Sequence, residues 1–362
     1  MATLFDYIDW RGDLTFEQAE LNEVDNLILS MIAYVDFDGV VPSSFEEAPT
    51  LLTAGRKYAR EHRGKTYVGL VVPPAVVSIM AKAAKSRRFG NIRMTGYVND
   101  ISGEEEMQFS AVCFRLDENK TYVAFRGTDD TLVGWKENFN MSFMLPVPAQ
   151  LKAVEYLNTV AASIPGEYYV GGHSKGGNLA VYAAVKCENG IKDRILRVYS
   201  NDGPGFGTGF IEGADYQDMR GKICTIVPQS SVVGMLLEHE ENYEVVKSTQ
   251  STGILQHNGF TWEVLGPGFI HLNSVTHESR LIDLTLKKWL DEMDKETREK
   301  FVDSLFETFS ATNAKTLTDL NSDKIALVKA WNKLPPETRG LVRKCVALLI
   351  RNSTKMKKQR SE

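Results

Sequence analysis

The sequence predicts an α/β fold, a mixed and mostly parallel sheet flanked by helices, and three observations carry that prediction. From residue 149 onward, helix-like and strand-like runs alternate: a helix at 149–163, a strand at 168–171, a helix at 176–187 and a strand at 195–200. Such alternation calls for parallel strands joined by crossover helices. Upstream, strand-like runs at 92–98, 107–116 and 121–125 are joined by short polar connections such as Leu116-Asp117-Glu118-Asn119-Lys120, which makes them an antiparallel meander. The chain has 362 residues and 43% hydrophobic content, enough to bury one large core.

Taken in order, residues 1–60 read as helical decoration, because 16–34 alternate acidic and apolar positions at roughly helical spacing. The most apolar run, 67–81, is broken by Pro73-Pro74 and falls short of the roughly 18–20 residues that span a bilayer. It reads as a buried turn and helix. After the segments above, further strands are expected at 223–227, 243–247 and 260–264. Beyond Arg280 the pattern is helical, with runs at 281–293, 296–309, 324–331 and 340–350 separated by polar joints and Pro335-Pro336. These helices carry no chemical motif, and their apolar spacing points to packing on the core, on a partner or on a second copy. The expected organisation is an α/β domain over 1–285, a helical extension over 286–353 and a basic tail over 354–362 with Lys355, Lys357, Lys358 and Arg360.

Composition narrows the function classes. The net charge is −5 and charged residues are spread along the chain, which gives no basic footprint for nucleic acid. Cys113, Cys187, Cys224 and Cys345 form no C-x-x-C pair, so neither a zinc site nor a disulfide framework is indicated, and they read as small buried hydrophobes in a reducing compartment. Asp6, Asp9 and Asp13 stand where an export signal would need basic residues. The expected location is cytoplasmic.

The densest chemical signal is Gly171-Gly172-His173-Ser174-Lys175-Gly176-Gly177, between the strand at 168–171 and the helix at 176–187. Gly172, Ser174 and Gly176 form a G-x-S-x-G pattern, in which a serine is held proud of the sheet on a strand-to-helix turn so tight that its flanking residues must be glycine. A second signal is Thr121-Tyr122-Val123-Ala124-Phe125-Arg126-Gly127-Thr128-Asp129-Asp130, followed by Trp135 and Asn138. It reads as a strand entering a polar turn.

Together these segments resemble the class 3, fungal-type lipases of the α/β-hydrolase superfamily. The chain as a whole resembles the Mbeg1-like family of bacterial, lipase-like α/β-hydrolases. That likeness covers about residues 1–285 and shows in Phe5-Asp6-Tyr7-Ile8-Asp9-Trp10-Arg11-Gly12-Asp13, in Asn201-Asp202-Gly203-Pro204-Gly205-Phe206 and in Val227-Pro228-Gln229-Ser230-Ser231. The resemblance implies an α/β-hydrolase fold, Ser174 as nucleophile, and an oxyanion hole made by the backbone N–H groups of Thr128 and Lys175. Lys175 departs from the leucine or glutamine usual at its position, and is expected at the surface or paired with Asp129 or Asp130.

The superfamily's chain order of serine, acid and histidine leaves His239, His257, His271 and His277 as bases. His257 is favoured, because it precedes a short apolar run with Glu263-Val264, as the class 3 histidine does, whereas His239 reads as a solvated helix end. The acid departs from the class 3 pattern, since the stretch 227–233 holds no carboxylate. Asp202, at the end of the preceding strand, is similar to the acid of pancreatic-type lipases, with Glu238 or Glu240 as alternatives. The expectation is acyl transfer from a small or lipid carboxylic ester with no metal or organic cofactor, under apolar cover from 141–145 and 232–237. Thioesterase, amidase or acyltransferase chemistry would use the same constellation, and a non-catalytic binding module is the alternative from another class.

Overall fold

The computed structural model describes residues 1–63, 72–239, 241 and 243–359. Ten strands are present among the described residues: β1 Arg93–Ser102, β2 Met107–Arg115, β3 Lys120–Phe125, β4 Glu167–His173, β5 Ile195–Asn201, β6 Ile223–Pro228, β7 Glu244–Val246, β8 Val264–Leu265, β9 Gly268–Phe269 and β10 His271–Leu272. Eight of them form one sheet in the order β1-β2-β3-β4-β5-β6-β7-β10, and β8 and β9 form a separate ribbon. The first three strands pair antiparallel, those from β3 through β7 pair parallel, and β10 closes the sheet antiparallel to β7. This is the mixed sheet flanked by helices that the sequence predicts for an α/β-hydrolase.

Strand alternation builds two cores. Val123, Phe125, Tyr168, Val170 and Val198 face the helices Pro148–Ser163 and Lys175–Lys186, while Tyr122, Ala124, Tyr169 and Tyr199 face the amino-terminal helices. The parallel strands are covered on both sides, which is why they read as apolar runs.

Two local expectations differ from the structure, and a third lies partly outside the described residues. The helix expected across 16–34 is confined to Glu23–Ile32, because Asn22 caps it, accepting from the N–H groups of Val24 and Asp25, while Asp25 reaches back to the Asn22 N–H. The strand expected at 260–264 is a tight turn at Gly259–Thr261. There the Trp262 indole is buried and donates to Gln256 O at 2.9 Å, which turns the chain inward. The apolar run 67–81 ends in the helix Ala75–Ala83, and its residues 67–71 lie outside the described residues.

The carboxyl-terminal region forms the helices His277–Asp291, Lys295–Ser310, Leu317–Ser322, Lys324–Lys333 and Pro336–Gln359. The first crosses residue 285 without a break, and the last continues through most of the segment read as a basic tail, whose side chains lie outside the described residues. Phe301, Val302, Phe306 and Cys345 pack with Leu132, Trp135 and Phe139 of the helix Leu132–Asn140. Arg298 Nη1 donates to Ser142 O at 2.7 Å, and Leu317 N to Asp130 O at 2.9 Å. The helical region is thereby tied to the loop that follows Thr128. Ile325, Val328 and Ile350 remain exposed on its outer face. Among the described residues, no helix is long and apolar enough to cross a membrane. All four cysteines are buried.

Candidate active site

The chain turns from β4 into the helix Lys175–Lys186 on one residue, Ser174, which holds φ 58° and ψ −132°. For a residue with a Cβ that conformation costs on the order of 1–3 kcal/mol. Ser174 N–H donates to Asn201 O at 2.9 Å, and Ser174 O accepts from Gly177 N at 2.9 Å, so the turn is held from both sides. The flanking glycines are required by contact: a Cβ on Gly172 would lie 2.4 Å from the Gly176 carbonyl carbon, and one on Gly176 would lie 2.1 Å from Phe125 O. Strand, turn and helix thus meet as the G-x-S-x-G pattern predicts.

Asp202 follows β5 with φ 50° and is fully buried. Both carboxylate oxygens are committed. Oδ1 accepts from Ser231 Oγ at 2.5 Å and Gly234 N at 3.1 Å, and Oδ2 lies 2.6 Å from His257 Nδ1. A carboxylate only accepts, so His257 donates from Nδ1 and its Nε2 is left as an acceptor. The stretch 227–233, noted for lacking an acid, supplies instead the Ser231 hydroxyl bonded to Asp202.

His257 is also held through its backbone. His173 Nε2 donates to His257 O at 2.7 Å, which leaves His173 Nδ1 to accept from the Tyr34 hydroxyl at 3.0 Å. Burial, with a smaller contribution from the neighbouring His257 ring, pushes His173 down from 6.5 to about 3. The unfolded chain protonates His173 below about pH 6.5 while the fold resists until about 3, so its contribution is complete above pH 6.5 and is lost as pH falls from 6.5 towards 3. At Glu241, burial is outweighed by hydrogen bonds from His239, Thr225 and Tyr216, which bring the carboxyl from 4.5 to about 2, so its stabilisation persists above pH 4.5. Stability measured by urea unfolding should therefore drop between pH 7 and 4.5 in the wild type, and drop less in His173→Asn. Equal drops would contradict the assignment.

On the oxyanion side, the Lys175 N–H is the first of its helix and has no intrahelical acceptor. The Thr128 hydroxyl is engaged by Asn138, donating to Oδ1 at 2.9 Å and lying 2.7 Å from Nδ2. The Lys175 side chain is neither at the surface nor paired with Asp129 or Asp130. It is 1% exposed, and its Nζ donates to Gln108 O at 2.6 Å and Glu137 Oε2 at 2.8 Å. Asp129 binds Arg126 at 3.0 Å and Asp130 accepts from Thr318 Oγ1 at 2.5 Å, so both acids are already committed elsewhere.

Ser174, His257, Thr128 and Lys175 all line one cavity of about 930 Å³. Its walls are mainly apolar: Tyr34, Trp135, Phe139, Val232, Val233, Leu236 and Leu237, then Leu286, Trp289, Leu290, Met293 and Phe301 from the carboxyl-terminal helices. A second cavity of about 540 Å³, lined by Phe143, Met144 and Leu145, adjoins it and shares Met141, Ser142, Leu290 and Arg298.

The other candidates lie elsewhere. His239 is not a solvated end but a buried partner of Glu241 at 3.1 Å. His271 bridges Glu23 at 2.9 Å and Glu244 at 3.4 Å, and His277 opens a helix at the surface. Glu238 pairs with Lys287 at 3.1 Å, and Glu240 lies outside the described residues. Sequence reasoning did not find Ser231, Tyr34, Glu137 or the wall supplied by the last helices, and did not count His173 among the candidate bases. Each acts through contacts between segments distant in sequence, which no local pattern records.

A family model described as Mbeg1-like matches residues 83–307, more than half of the chain. The chain belongs to the Mbeg1-like family. The matched span starts later than the resemblance read from sequence and runs past residue 285 into the helix Lys295–Ser310. No curated protein matches this Mbeg1-like chain in sequence. Among solved structures it is similar to the native propeptide complex of Rhizomucor miehei lipase, at 15% identity over 72% of this chain and 94% of that one with a TM-score of 0.37. It is also similar to lipase II from Rhizopus niveus, at 14% identity over 63% of this chain and 80% of that one, again with a TM-score of 0.37.

Proposed function

We propose that this Mbeg1-like protein is a serine hydrolase of carboxylic esters. The observation that carries the reading is the 2.6 Å hydrogen bond between His257 and the buried Asp202, with His257 and Ser174, on its strained turn, lining the same cavity. In the proposed cycle, His257 Nε2 takes the Ser174 proton as Oγ attacks the ester carbonyl, and the carbonyl oxygen becomes an oxyanion facing the N–H groups of Lys175 and Thr128. The tetrahedral intermediate collapses as His257 returns the proton to the departing alcohol, leaving an acyl-serine. Water, deprotonated by His257, then releases the acid and restores Ser174.

The apolar walls support an acyl chain as the main recognition element. Each methylene buried is worth about 0.8 kcal/mol, so kcat/KM for p-nitrophenyl esters should rise by up to about fourfold per added methylene until the chain meets the far wall. Trp289→Ala, which removes part of that wall, is expected to shift the optimum to longer acyl chains. A flat profile from acetate to palmitate would sink the acyl-pocket reading.

The decisive experiment is labelling with an alkyl fluorophosphonate. Wild type is expected to be labelled stoichiometrically and Ser174→Ala not at all. Folded wild-type protein that neither labels nor turns over any ester would make the chain a binding module built on a hydrolase fold.

A further inference from the structure

The Lys175 side chain and Glu137 are both fully or almost fully buried, at 1% and 0% side-chain exposure, and lie 2.8 Å apart. A buried ion pair is a poor stabiliser, because removing two charges from water cancels most of their attraction, and an apolar pair of the same volume often does as well. Its presence directly beneath the nucleophile therefore calls for a reason other than stability.

The geometry gives one. Glu137 Oε2 accepts from Lys175 Nζ and, at 3.0 Å, from Gln108 N, while Oε1 accepts from Ala149 N at 2.8 Å. Lys175 Nζ also donates to Gln108 O at 2.6 Å. One carboxylate thus joins β2, the helix Leu132–Asn140 on which it sits, the start of the helix Pro148–Ser163 and the first residue of the nucleophile helix. That first residue carries the N–H expected to meet the oxyanion. A rigid side-chain anchor on Lys175 fixes the position of its own backbone N–H, which nothing else in the helix binds.

Resting on the hydrolase reading above, we infer that Glu137 and the Lys175 side chain are positioning residues for the oxyanion hole, holding the Lys175 N–H in register with Ser174. They touch no substrate. A donor misplaced by about 1 Å costs on the order of 100-fold, and loss of one oxyanion donor costs about 10²–10³ in kcat.

The test uses full-length protein and two variants: Glu137→Gln, which removes the counter-charge of the buried Lys175 side chain, and the double variant Lys175→Met/Glu137→Gln, which leaves no buried charge at the pair. For both, kcat should fall 10- to 100-fold while KM changes less than threefold. The inhibition constant of an alkyl boronic acid, whose tetrahedral adduct on Ser174 places an oxygen in the hole, should weaken in parallel with kcat. A purely structural pair would lower the unfolding midpoint and leave both the kcat-to-KM split and the boronate affinity untouched. Folded variants with wild-type kcat and boronate affinity would overturn the inference, as would recovery of both variants only as aggregates. Wild type that labels at Ser174 while the variants keep full activity leaves the hydrolase reading standing and removes only this one; wild type that never labels removes both.

Discussion

Asp202→Asn is expected to lower kcat for p-nitrophenyl esters by about 10³–10⁴-fold with little change in KM or in folding. The argument is one of tautomers. Asp202 accepts three hydrogen bonds, from Ser231, Gly234 and His257, and the bond to His257 Nδ1 leaves Nε2 unprotonated and ready for the serine proton. An asparagine of the same shape can keep its oxygen on Ser231 and Gly234, which turns its amide N–H towards His257 Nδ1. The imidazole must then accept at Nδ1 and carry its proton on Nε2, where it can no longer act as base, and the same change in a serine protease triad costs about 10⁴-fold. Fluorophosphonate labelling should slow by a similar factor, since it needs the same activated oxygen. A variant within tenfold of wild type would mean that another carboxylate, with Glu238 the first to examine, serves His257.

How much of this site was legible in the sequence follows from the range of the contacts involved. Ser174 and its glycines are a local device: every atom that forces the strained turn lies within a few residues or on the adjacent strand, so G-x-S-x-G between an apolar strand and a helix was sufficient. The alternating strands and helices from β4 to β6 were legible for the same reason. Asp202 and His257 were put forward by resemblance and by chain order, and the structure places them 2.6 Å apart, with Ser231 of the stretch 227–233 bonded to Asp202. Lys175 was misjudged because a lysine is most often exposed, and only the fold brings Glu137 within 2.8 Å of it. His173 was not among the candidate bases, yet its Nε2 holds the His257 backbone. The last helices gave no chemical motif at all, because a cavity wall needs only apolar residues on one helix face.

The second large effect concerns the amino-terminal layer. Arg88 and Asp25 are both fully buried, with Arg88 Nε 2.7 Å from Asp25 Oδ1 and Nη2 2.5 Å from Oδ2. Arg88 also donates to the carbonyls of Leu14, Thr15, Ala19 and Glu20, and the Tyr7 hydroxyl donates to Asp25 Oδ1 at 2.9 Å. Asp25→Ala leaves the guanidinium buried without a counter-charge, a loss of about 3–5 kcal/mol, or roughly 4–7 °C in unfolding midpoint for a chain of this length. Replacing both, as Asp25→Leu with Arg88→Met, should recover much of that loss, because no unpaired charge remains. The neighbouring residue extends the effect to the site: Asn26 Nδ2 donates to Asn201 Oδ1 at 2.9 Å, and Asn201 Nδ2 donates to Gly172 O at 3.0 Å, two residues before Ser174. A helix Glu23–Ile32 that opens locally therefore frees Asn201 and the strand that carries Ser174 before the sheet melts. In Asp25→Ala, ester hydrolysis should accordingly fail several degrees below the unfolding midpoint read by circular dichroism. Coincident losses would mean that this helix and the sheet unfold as one unit.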